Sequence, residues 1–319
     1  MALDRSTIWP YDEDGEPGEF YYQRYASPDV VAAERALGEL DGGHALLYPS
    51  GSGATTALVL GLLNPGDTIA IAEGCYFGTG VTFDALAKWG IHHVEFDQRA
   101  EPPDGVQLVW LEAPSNPYLT MPDFDAAAAH PAPVVVDSTA ATPVYVRPLE
   151  LGADFALHSA TKYLGGHDDV LLGAVVCKDQ AAADALRTFR TVTGIVAAPD
   201  PAWLLLRGLK TLELRVRKQT ESATLLAERL REHPAVTIVR YAGIAGLLSF
   251  DVADGETARR VETSTRLIVN ATSLGGVTSV IETRARWEGD RVPPGLLRLS
   301  VGLEDPEALW GDLSEALAA

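Results

Sequence analysis

His158-Ser159-Ala160-Thr161-Lys162-Tyr163-Leu164-Gly165-Gly166-His167 is the stretch on which the reading of this chain turns. It follows directly on the apolar run 153–157 and sets one lysine between two hydroxyl residues and a glycine pair. A lysine near the end of a core strand costs stability unless it is paired or put to chemical use. Hydroxyls on both sides suit a phosphate, and a lysine beside a phosphate suits a cofactor bound through a Schiff base. The same ten residues also fit a strand-to-loop turn with a solvated lysine, so the rest of the chain has to decide.

Upstream, residues 133–136 form a fully apolar strand that ends abruptly on Asp137. Residues 107–111 form another, running into Glu112-Ala113-Pro114-Ser115-Asn116-Pro117, and 94–96, 68–72 and 45–48 read as three more. Helices are expected over 30–40, opened by Ser27-Pro28 and stopped by Gly42-Gly43, and over 54–63, 83–89, 123–130 and 182–191. The small-residue loop Pro49-Ser50-Gly51-Ser52-Gly53 precedes the second of these helices, a junction whose amides suit an anion. Residues 74–80 read as an aromatic-bearing loop. Nearly continuous apolar strands alternating with helices predict an α/β domain with a mostly parallel sheet between helices. Ligands in such sheets bind beyond the carboxyl ends of the strands. Ser50, Glu73, Glu112, Asn116, Asp137 and Lys162 all fall at such ends.

Downstream, a long amphipathic helix is expected from about Asp200-Pro201 to His233, where Pro234 ends it. Strands over 236–241, 247–252, 277–282 and 296–301, with helices over 257–264 and 306–317, suggest a small C-terminal α+β domain. The expected division is an N-terminal arm over 1–20, a cofactor-binding domain over 21–205 and the small domain over 206–319.

The net charge of −19 argues against nucleic acid, which needs a lysine and arginine footprint, and against an anionic membrane surface. A basic cleft inside an acidic shell remains compatible with it. Cys75 and Cys177 make neither a metal-ligand spacing nor a disulfide framework, so no metal and a reducing cytoplasm are expected. No apolar run is long enough to span a bilayer, and the polar, acidic opening residues do not read as a signal peptide.

Two nucleotide or hydrolase readings fit poorly. Gly51-Ser52-Gly53-Ala54-Thr55-Thr56 is a fragment of a dinucleotide fingerprint with Glu73 about where a ribose-binding acid falls, but Thr56 replaces the third small residue. A nucleophile elbow fits neither Ser50 nor Ser52. Pyridoxal phosphate asks for a lysine, an acid to keep its ring nitrogen protonated, an aromatic face and donors for the phosphate. Lys162, Asp137, Tyr76 and the loop 50–53 meet those four needs in turn. Each alone has an ordinary structural explanation; together they make a site.

At this point the chain resembles the Cys/Met-metabolism family of pyridoxal phosphate enzymes, which includes cystathionine γ-synthase, the cystathionine lyases and methionine γ-lyase. The resemblance rests on Leu149-Glu150-Leu151-Gly152-Ala153-Asp154 with the opening decapeptide, on Arg207-Gly208-Leu209-Lys210-Thr211-Leu212 and on Ser273-Leu274-Gly275-Gly276. It implies an aspartate aminotransferase-like, fold type I architecture. It implies Lys162 as Schiff-base lysine and proton carrier, Asp137 on the ring nitrogen with Thr139 nearby, and Tyr76 as stacking residue and acid or base toward the leaving group. Ser50, Gly51, Ser52, Ser159 and Thr161 would hold the phosphate, joined by Tyr22 and Arg24 from a neighbouring subunit. Arg298, Asn116 and Ser273 would take the substrate carboxylate. A homodimer at least is implied, with a homotetramer the expected assembly.

The expected activity is that of a carbon–sulfur lyase of cystathionine γ-lyase type, releasing a 2-oxo acid, ammonia and a thiol. The alternative is γ-replacement joining an O-acylhomoserine to cysteine. Thr278 stands where many members carry a glutamate for the distal substrate amine, and Glu282-Thr283-Arg284-Ala285-Arg286-Trp287 replaces the usual stretch. Thr278 is therefore a candidate substrate contact, and Arg284 and Arg286 belong either to a basic distal pocket or to the solvated surface.

Overall fold

The computed structural model describes residues 2–319. Seven strands form the first sheet: β1 (His44–Tyr48), β2 (Thr68–Ala72), β3 (His92–Phe96), β4 (Leu108–Glu112), β5 (Val134–Asp137), β6 (Phe155–His158) and β7 (Gly173–Cys177). Their order is β1-β7-β6-β5-β4-β2-β3. The pairs from β3 through β2, β4 and β5 to β6 are parallel, and β7 runs antiparallel to both neighbours. The helices are α1 (Pro28–Asp41), α2 (Gly51–Leu62), α3 (Phe77–Leu86), α4 (Phe124–Ala128), α5 (Thr142–Tyr145), α6 (Gln180–Thr193) and α7 (Pro199–Leu209).

The apolar strands are continuous because the sheet is covered on both faces. Val134 and Val136 pack with Val109 and Leu111, while Val135 packs with Trp110, Phe155 and Leu157 in a separate cluster. The sheet is thus mostly parallel and sandwiched by helices, as the alternation predicts.

α8 (Leu212–Glu232) leads to a five-stranded sheet of β8 (Ile238–Arg240), β9 (Leu247–Asp251), β10 (Val269–Asn270), β11 (Val280–Thr283) and β12 (Leu296–Ser300), in the order β10-β11-β12-β9-β8. With α9 (Gly255–Ser264), α10 (Ala285–Glu288) and α11 (Pro306–Ala318) it completes the chain. Leu297 and Leu299 of β12 join α8, α9 and α11 in one apolar cluster. Arg298, between them, points to the other face by the period of two, and is paired in register with Glu282 of β11.

Several elements differ from the sequence expectations. Gly51-Ser52-Gly53 is the first turn of α2, with Ser50 as its N-cap, and residues 77–80 open α3 instead of continuing a loop. β7 is a strand the sequence reading passes over. The long helix is two, broken at Lys210-Thr211, so the expected domain division at 205/206 falls inside α7. At the break the Gly208 carbonyl accepts from the Arg215 guanidinium at 2.9 Å and from the Thr211 amide at 3.1 Å. No helix among the described residues is long and apolar enough to cross a membrane.

Candidate active site

The carboxyl ends of β1, β4, β5 and β6 open on a cavity of about 350 Å³. Lys162 enters it from the turn after β6. That turn is held from both sheets: the Ser159 amide donates to Thr139 Oγ1 at 2.7 Å, the Tyr163 hydroxyl accepts from the Gly246 amide at 3.0 Å, and the Gly166 carbonyl accepts from the Val277 amide at 3.0 Å. Lys162 Nζ donates to Ser273 Oγ at 2.7 Å. Burial, with Arg298 nearby, pushes the Lys162 amine down to about 8. A lysine in that range can exchange a proton near neutral pH.

Asp137 ends β5 and is 8% exposed, with no ion-pair partner among the described residues. Burial pushes its carboxyl up, while Thr139 counters by donating its hydroxyl at 2.5 Å and its amide at 3.0 Å to Oδ1. A buried carboxylate without a counter-ion, facing a cavity, suits a protonated ring nitrogen. Behind it His158 is fully buried against Asp41, Nε2 to Oδ2 at 2.7 Å.

The other end of the cavity fits a phosphate. The first amides of α2 lack intrahelical acceptors. Ser50 Oγ accepts from the Gly53 amide at 3.0 Å, which leaves its O–H to donate. A Cβ on Gly51 would come to 3.0 Å from Ser159 Cβ and 3.1 Å from its Oγ, so any larger residue would press on Ser159 in this cradle. Ser159 and Ser52 line the same end. Thr161 lines it too, although its hydroxyl donates to the Leu172 carbonyl at 3.2 Å and accepts from the Leu172 amide at 3.1 Å. The donor set, the open amides and the unpaired Asp137 together fit pyridoxal phosphate.

Arg298 is 3% exposed; NH1 donates to Asn116 Oδ1 at 3.1 Å, and NH2 to the Ser273 carbonyl at 2.9 Å and to Glu282. Burial and the neighbouring Arg284 push it down to about 10, leaving it cationic at neutral pH. Tyr76 caps α3 at the cavity edge, its amide donating to Glu112 Oε2 at 2.7 Å. Burial raises its phenol above the ordinary range.

Lys162, Asp137, Thr139, Tyr76, Ser50, Gly51, Ser52, Ser159, Thr161, Arg298, Asn116 and Ser273 therefore converge. Tyr22 and Arg24 do not reach this cavity; Arg24 NH1 donates to the Thr191 carbonyl at 2.8 Å. Thr278 is exposed and outside the lining, because its neighbours are pinned: the Val277 amide to Gly166, and Ser279 to Glu304 at 2.7 Å through both amide and hydroxyl. Arg284 is buried and lines the cavity, whereas Arg286 is exposed and pairs with Glu262. Sequence reasoning sees Glu112 at a strand end but gives it no role. It is buried in the lining, and burial followed by the adjacent Asp137 pushes its carboxyl well up. Its place after four apolar residues is the signal that marks it.

Fold and site together define a pyridoxal phosphate-dependent enzyme of the fold type I class. The family model of Cys/Met metabolism PLP-dependent enzymes matches residues 2–318, and the chain belongs to that family. A cystathionine γ-synthase from Mycobacterium bovis is 36% identical over 95% of this chain and 87% of its own length. A cystathionine γ-lyase from Bacillus subtilis is 35% identical over 95% of this chain and 90% of its own. The crystal structure of metB from Corynebacterium glutamicum superposes with a TM-score of 0.96 at 33% identity, covering 100% of this chain and 92% of that one.

Proposed function

We propose that the chain is a carbon–sulfur lyase that cleaves cystathionine or a related amino acid by γ-elimination, releasing a 2-oxo acid, ammonia and a thiol. The observation that carries this reading is the Lys162 amine, 2.7 Å from Ser273 Oγ in the same cavity as Asp137 and the Arg298–Asn116 pair. When bound, pyridoxal phosphate supplies an electron sink for charge developing at the substrate α-carbon.

The chain's own residues do the rest. Asp137 keeps the ring nitrogen protonated. Arg298, with Asn116 and Ser273, grips the substrate carboxylate and fixes the direction of the Cα–H bond. Lys162, its amine lowered to about 8, accepts the Cα proton and moves it to and from the neighbouring carbons. Tyr76, its phenol held protonated at neutral pH by burial, donates to the departing sulfur. Gly51, Ser50, Ser52, Ser159 and Thr161 form the phosphate end. Tyr22 and Arg24, outside their own chain's cavity, support completion of each site by a second copy of the chain.

A second reading, γ-replacement of an O-acylhomoserine by cysteine, is supported by relatives of equal likeness bearing synthase and lyase names. The two are separated by incubating the enzyme with cystathionine alone and with O-acylhomoserine plus cysteine. Release of keto acid and thiol from cystathionine alone is expected; cystathionine made only from the second mixture would overturn the lyase reading in favour of the synthase.

A further inference from the structure

Arg284, between β11 and α10, has no part in the roles assigned above. It is 2% exposed and lines the cavity. Nε donates to Glu288 Oε1 at 2.9 Å and NH1 to Glu282 Oε1 at 2.8 Å; NH2 stands 2.8 Å from Glu288 Oε1 yet makes no hydrogen bond. The guanidinium carbon lies 5.5 Å from the centroid of the Phe77 ring, the residue after Tyr76. Arg284 thus stands on the leaving-group side, two hydrogen bonds from Arg298 through their shared partner Glu282.

Neither Glu282 nor Glu288 lines the cavity, while Arg284, Phe77 and Trp287 do. Glu282 is also saturated: Oε1 accepts from Arg284, Arg298 and Thr272, and Oε2 from Trp287 Nε1 at 3.0 Å. Among the described residues the carboxylates that do line it are Asp137 and Glu112, adjacent in register at the ends of β5 and β4, on the cofactor side. The wall beyond Tyr76 therefore presents the Arg284 guanidinium and two aromatic faces, those of Phe77 and Trp287, and no carboxylate of its own. A buried ion-pair cluster is a weak source of stability compared with apolar packing.

We propose that Arg284 determines specificity: it reads the far end of the γ-substituent and selects amino acids whose leaving group carries a carboxylate there. This rests on the amino-acid-binding reading of the cavity given above. The test is binding of two amino acids of equal chain length with no leaving group at the γ-carbon, 2-aminoadipate and norleucine, followed in the holoenzyme by the change in cofactor absorbance. A charge-assisted hydrogen bond discriminates by about 10–100-fold, so 2-aminoadipate binds tighter than norleucine by about that factor. Arg284→Met reduces the ratio to below about 3-fold, and Arg284→Lys, which keeps the charge but not the planar fork, gives an intermediate ratio. A ratio near one in the unmodified enzyme overturns the proposal without recourse to any variant, and a ratio that survives Arg284→Met overturns it equally. Turnover plays no part in the readout, so a chain that released no thiol from any substrate would refute the lyase reading and leave this measurement decisive.

Discussion

Lys162 shows what burial does to a single group. Its amine is pushed from 10.5 to about 8, chiefly by desolvation. A lowered lysine pKa means that between pH 8 and 10.5 the folded chain has released a proton the unfolded chain still holds, so stability rises with pH across that window. Below it both states are protonated and the folded state carries the cost of a buried cation, on the order of 3 kcal/mol. Lys162→Met should therefore stabilise the cofactor-free protein at pH 7, with the gap in denaturant midpoint closing as pH rises from 8 to 10.5; a gap independent of pH contradicts the burial argument. At this scale the sequence is legible where the chain itself dictates position. Asp137 and Lys162 follow apolar strands whose ends must meet, and both can be read. Thr278 and Arg284 are a few residues apart, and which of them faces the cavity depends on the turn after Gly276 and on packing against Phe77, neither of which is a local property.

Among the elements, α7 and the decapeptide are interlocked. Gly208 lies with its Cα against the Leu164 and Gly165 carbonyls, and an added Cβ would come to 2.7 Å from the first oxygen and overlap the second. Gly208→Ala should cost about 1–3 kcal/mol, read as a lowered denaturant midpoint with unchanged slope, and should weaken cofactor retention because the same turn carries Lys162. An unchanged midpoint would mean that α7 can shift without disturbing the site. The parallel strands were readable because burial on both faces leaves only one composition. β7 was not, since Gly173 interrupts its apolar run and it follows a loop that already accounts for the glycines before it. No glycine or proline at Lys210-Thr211 marks the α7–α8 break either; there the Gly208 carbonyl is taken by the Arg215 guanidinium, seven residues on.

Across the molecule, a net charge of −19 surrounds a cavity whose lining sets Lys162, Arg284 and Arg298 beside Asp137 and Glu112. If Tyr22 and Arg24 complete a partner's site, Arg24→Ala and Lys162→Ala are each inactive alone. Refolding them together in equal amounts places half the dimers as mixed pairs with one intact site of two, restoring roughly a quarter of the activity; no recovery would make each chain's site self-contained. The central claim, that pyridoxal phosphate is held covalently at Lys162, is tested most directly by reducing the holoenzyme with borohydride and mapping the labelled peptide. The label is expected on Lys162, in the peptide that contains His158-Ser159-Ala160-Thr161. A label on Lys88, Lys178, Lys210 or Lys218, or none at all, would contradict it.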